Sequence, residues 1–74
     1  MIIRDYHGYK LLDAIIDVER HISFIRQTKD WKDMEFIVGN GVIKESIMKL
    51  LKDQYKLNPT LKLGNPGVIY CYVE

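Results

Sequence analysis

The hydrophobic period of this chain switches repeatedly between about 3.6 residues and two, and that alternation leaves few folds open. Leu11, Ile15, Val18, Ile22 and Ile25 recur at spacings of four and three, with Asp13, Asp17 and Arg20 between them. This is the pattern of a helix with one apolar face, and it predicts a helix over Lys10–Thr28. A second stripe, Ile43, Ile47, Leu50 and Leu51, set against Lys44, Glu45, Lys49 and Lys52, predicts a helix from Val42 that stops before Asn58-Pro59, because the residue before proline is pushed out of helical geometry. Short β-branched or aromatic runs surround these stripes. They are Ile2–Tyr6, broken by His7-Gly8; Glu35–Val38, closed by Gly39-Asn40-Gly41; and Leu61–Leu63 with Val68–Val73, reversed through Gly64-Asn65-Pro66-Gly67. The expected order is β-α-β-α-β-β. With short connections and right-handed crossovers this gives an α/β chain of the α+β two-layer sandwich type, a four-stranded mixed sheet with both helices on one face.

The 74 residues are read as one domain, 1–74, of modest stability, since a chain this short buries only about 60% of the surface its unfolded state exposes. Its expected core joins Leu11, Ile15, Val18 and Ile22 to Ile43, Ile47 and Leu50, over Ile69, Cys71 and Val73. Cys71 is the only cysteine, which excludes an intramolecular disulfide and a thiolate zinc cluster and points to a reducing, cytoplasmic setting. The N-terminus reaches charge at Arg4 and Asp5, unlike a signal peptide, and the apolar run Val68–Val73 is far too short for a membrane span. No membrane partner is expected. A net charge of +1 means that any attraction to nucleic acid must come from local charge placement. Oligomeric state is left open.

Side chains two apart on a strand share a face, so Asp5 and His7 emerge together at the end of the first strand. A neutral imidazole takes a proton from water or a ribose 2′-hydroxyl near neutral pH, while a carboxylate orients it or holds a divalent cation such as magnesium. The alternative is that one of them caps the following helix. Gly39, Asn40 and Gly41 precede the second helix, where backbone amides and the positive end of the helix dipole attract an anion and Lys44 reaches the same phosphate. The alternative there is a tight turn that needs positive φ. Tyr70 and Tyr72 form the outward set of the last strand, as base-stacking platforms or as cross-strand packing partners. Lys49, Lys52 and Lys56 follow one side of the second helix. His21 is a surface or boundary residue, and Trp31 a loop residue covering the edge of the core.

Arg4-Asp5-Tyr6-His7-Gly8 after the first strand and Val38-Gly39-Asn40-Gly41 after the second, about thirty residues on, with an apolar closing strand, resemble the Smr (small MutS-related) domain family. That family carries a Leu-Asp-x-His-Gly motif and then a His- or Thr-Gly-x-Gly motif, on a fold like the C-terminal domain of bacterial translation initiation factor three. The resemblance spans nearly the whole chain. It implies nucleic-acid binding, DNA or RNA, with endonuclease activity that nicks DNA or cleaves RNA. Asp5 and His7 would be the catalytic pair, and Gly39, Asn40, Gly41 and Lys44 the phosphate-binding residues. Arg4 stands where the family has leucine, and Val38 where it has histidine or threonine, so the second motif offers backbone amides only. The rival reading is a non-catalytic nucleic-acid-binding module, and a third is an adaptor that contacts protein alone.

Overall fold

The computed structural model describes all residues, Met1–Glu74. Its elements are β1 (Ile2–Asp5), α1 (Leu11–Thr28), β2 (Lys32–Ile37), α2 (Val42–Lys49), β3 (Thr60–Lys62) and β4 (Asn65–Val73), and a π-helical turn over Leu50–Gln54 continues α2. The four strands lie in the order β1-β2-β4-β3. β1 and β2 are parallel, with Ile2 opposite Met34 and Asp5 opposite Ile37. β4 runs antiparallel to β2, with Cys71 opposite Met34 and Ile69 opposite Phe36, and antiparallel to β3 on its other side. The chain is therefore an α+β domain with a mixed sheet and two helices.

This register puts Ile2, Arg4, Met34, Phe36, Ile69, Cys71 and Val73 on one face. There they meet Ala14, Val18, Ile22 and Ile25 of α1, Ile47 of α2 and Leu51 of the π-helical turn in one buried cluster. Both helices thus cover the same face. The α1 stripe is rotated from the sequence expectation: Leu11 is 39% exposed and Ala14 is fully buried. Leu11 lies in the first turn of α1, and counting back four from Val18 reaches Ala14, which the core encloses. Ile15, Ile43 and Leu50 flank the core, partly buried.

On the uncovered face Tyr70 donates to Asp33 at 2.7 Å and Lys62 to Glu35 at 3.1 Å. Tyr72 is exposed, so the tyrosines are the outward set.

Several boundaries differ from those expected. β2 starts at Lys32 because Lys32 and Asp33 pair with Val73 and Tyr72. The hairpin turn is the two residues Leu63-Gly64, with Gly64 at φ 78°, so Asn65-Pro66-Gly67 belongs to β4. Pro66 is tolerated because the β3–β4 register is irregular there. α2 gives way at Leu50, where Tyr55 N–H donates to Leu50 O at 3.3 Å and Leu57 N–H to Leu51 O at 2.9 Å. This wider winding turns both Leu51 and Leu57 into the core. Trp31 does not cover the edge of the core; it is exposed. No helix is long and apolar enough to cross a membrane.

Candidate nucleic-acid interface

Because β1 and β2 are parallel neighbours, the segments that follow them leave the sheet at the same end, from strands about 4.8 Å apart. Tyr6 N–H extends the pairing by donating to Ile37 O at 3.0 Å. The fold thereby brings the loop of Asp5 and His7 beside the loop of Gly39, Asn40 and Gly41.

Within the first loop, Asp5 Oδ1 accepts the backbone N–H of His7 at 2.9 Å. This is an Asx turn, in which a short carboxylate closes its own chain two residues on. Gly8, at φ 78°, completes the reversal, and Tyr9 N–H donates to Tyr6 O at 3.0 Å. Asp5 thus holds the main chain of His7, and no hydrogen bond joins its carboxylate to the ring. Neither residue caps α1. The helix starts later, at Leu11, with Lys10 as its N-cap and no side-chain cap. Asp5 and His7 are both exposed.

In the second loop the expectation that all three residues Gly39 to Gly41 offer free amides needs correction. Val38 N–H and Gly39 N–H both donate to Gly67 O, at 2.8 and 3.0 Å, so Gly39 contributes its shape, φ 67°, rather than a donor. The amides of Asn40 and Gly41 have no internal acceptor. Gly41 is the N-cap of α2 and supplies no side-chain cap, so these amides sit at the positive end of the helix dipole. One turn on, Lys44 Nζ lies 3.4 Å from Asn40 Oδ1, which holds the ammonium group against the loop. Val38 packs against the core and presents no polar group to the site.

No three His, Cys, Asp or Glu side chains converge anywhere in the chain, and in the first loop Asp5 Oδ1 is engaged with an amide. Of the remaining sequence candidates, Lys49, Lys52 and Lys56 are exposed. Tyr70 and Tyr72 share the open sheet face with Asp33 and Glu35, acids that repel phosphate.

Sequence reasoning missed a polar cluster beneath the first loop. Arg4 Nε and Nη2 contact Asp17 Oδ2 and Oδ1 at 2.8 and 3.2 Å, and Tyr6 OH donates to Asp17 Oδ2 at 2.8 Å. His21 Nε2 lies 3.6 Å from the same oxygen. Burial of the Asp17 carboxyl would raise its pKa, but hydrogen bonds from Arg4 and Tyr6 outweigh it and hold the group below the usual carboxylate range. Tyr6 is 1% exposed and stacks on Phe36 at 6.1 Å between ring centroids; burial first, and then its bond to Asp17, push the phenol far above its ordinary value. The available signal was parity: Arg4 and Tyr6 share the inward face of Ile2, so a charge there needs a partner on α1.

Comparison with known proteins finds no matching family model, no similar curated protein and no similar solved structure.

Proposed function

We propose that this chain is an Smr-like nucleic-acid-binding domain that grips a backbone phosphate where α2 begins, on a fold like the C-terminal domain of translation initiation factor three. One juxtaposition carries the reading: the unsatisfied amides of Asn40 and Gly41 and the ammonium group of Lys44 converge beside the His7 loop. A phosphate oxygen there accepts from the two amides, gains from the helix dipole, and meets the one cation tethered to the loop. The near-neutral net charge makes this local placement the source of affinity.

The non-catalytic form is the better supported one. Asp5 holds a backbone amide rather than the imidazole, and Val38 adds nothing polar. Cleavage is kept as a second reading because the exposed imidazole of His7 neighbours the phosphate loop. In that reaction the ring accepts the proton of a ribose 2′-hydroxyl, the oxygen bonds to phosphorus, and the bond to the 5′-oxygen breaks, giving a cyclic phosphate.

Binding of labelled single-stranded RNA, single-stranded DNA and branched DNA at two salt concentrations tests this. Lys44→Ala should weaken binding more than Lys29→Ala, and affinity should fall with salt. Equal losses for the two variants would replace the defined site with diffuse attraction, and salt-independent or absent binding would favour the protein-only adaptor. A cleavage time course on the same substrates, with His7→Ala beside the parent, decides between binding module and nuclease.

A further inference from the structure

We propose that a hollow between β1 and the outer flank of α1 binds one unpaired nucleotide, and prefers a base that carries an exocyclic amino group. The hollow has a volume of about 460 Å³ and is lined by Ile2, Asp17, Arg20, His21 and Phe24, within the size range of small-molecule sites. Phe24 is 64% exposed and offers a stacking face for a base, in a hollow that Ile2 also lines. Arg20, one helical turn before Phe24, is in no ion pair, which leaves its guanidinium for a phosphate.

Asp17 supplies the selectivity. Its Oδ2 is taken by Arg4 Nε and Tyr6 OH, whereas Oδ1 accepts only from Arg4 Nη2, at 3.2 Å. A carboxylate has about four acceptor positions, so Oδ1 can accept one more hydrogen bond. Its position is fixed by the bidentate Arg4 and by buried Tyr6. An amino group of cytosine or adenine satisfies that oxygen, while the carbonyl that uracil presents in its place is repelled. A protein partner fits less well, since an apolar surface laid here would strip water from Asp17, Arg20 and His21 without replacing it.

The hollow shares no residue with the phosphate loop, and the proposal does not rest on it.

The test is a titration of the isotope-labelled full chain with cytidine monophosphate, uridine monophosphate and inorganic phosphate, followed by amide NMR. Cytidine monophosphate should shift Ile2 and Asp17 to Phe24 saturably, with uridine monophosphate about five-fold weaker or more. The exposed substitutions Phe24→Ala and Arg20→Gln should each weaken cytidine monophosphate about five-fold or more, read at the Ile2 and Asp17 to Phe24 amides, with spectral dispersion retained. At the Ile2 and Asp17 to Phe24 amides, equal affinity for the two nucleotides or phosphate alone binding as tightly would overturn the proposal, as would sedimentation showing a dimer that Phe24→Ala dissolves.

Discussion

Gly39 and Gly67 meet backbone to backbone: the oxygen of Gly67 accepts the amide of Gly39 at 3.0 Å, and a Cβ built on Gly67 would lie 3.3 Å from Gly39 Cα. The phosphate loop is thus shaped by β4, a strand that contributes no side chain to it. Gly67→Ala should cost about 1–2 kcal/mol in urea unfolding, because main chain cannot yield as a side chain tip does, and it should weaken nucleic-acid binding. Gly41→Ala should cost about 0.5–1 kcal/mol, the N-cap preference for glycine over alanine, with binding retained because its Cβ meets nothing. Equal losses at the two positions would mean that the close approach does not shape the loop.

The Arg4–Asp17 contact predicts a pH dependence. The folded carboxyl titrates below its unfolded value, so its contribution is fully present above about pH 4 and is lost as pH falls through the lower folded value. Asp17→Asn should cost about 1–2 kcal/mol at neutral pH, and the gap between variant and parent should close toward pH 2. A gap that stays constant down to pH 2 in urea titrations would show that the charge of Asp17 is not what stabilises the fold.

Ile47 and Leu11 separate core from rim. Ile47 is fully buried, so Ile47→Ala should cost about 2–5 kcal/mol, much of what a domain this size has. Leu11→Ala, at a position 39% exposed, should cost about 1 kcal/mol or less. Thermal unfolding of the two variants measures both.

Cys71 should report opening of the fold. Burial pushes its thiol up to about 11, against a weaker opposite effect of the Asn58 backbone, and the side chain is fully buried. A thiol reagent at pH 8 should therefore label the native chain at the rate at which it opens, and the urea-unfolded chain far faster. Labelling at the same speed in both states would contradict this burial.

Lys29 and Lys56 hold left-handed backbone, φ 55° and 56°, without being glycine. At Lys29, just past the end of α1, glycine should add about 1 kcal/mol of stability by removing the Cβ clash. Chemical denaturation of Lys29→Gly checks it.

Strand and helix order was legible because Val18, Ile22 and Ile25 keep a helical period while Ile69, Cys71 and Val73 keep a period of two, and both patterns point into the core. The start of the α1 stripe was not legible, since Leu11 and Ala14 both fall on the helical period of Val18 and the larger apolar side chain is the one left at the rim. The close of α2 was hidden for another reason: Asn58-Pro59 marks the furthest reach of a helix, whereas the change of winding at Leu50 comes from packing Leu51 and Leu57 together. In the candidate site, the sequence placed Asp5, His7, Gly39, Asn40, Gly41 and Lys44 at strand ends. It did not show which amides were already taken, because the acceptor, Gly67, is nearly thirty residues away along the chain.

The strand order carries a consequence for synthesis. β4, made after the other three strands, is inserted between β2 and β3, so as the chain leaves the ribosome the β1-α1-β2 unit waits with one side of β2 unpaired, where Met34 and Phe36 later face Cys71 and Ile69. Until Asn65–Val73 follows, that bare ladder is open to other nascent chains. A ribosome paused within α2 should therefore hold a species that chaperones bind, and release of the β3–β4 hairpin should end that exposure in one step.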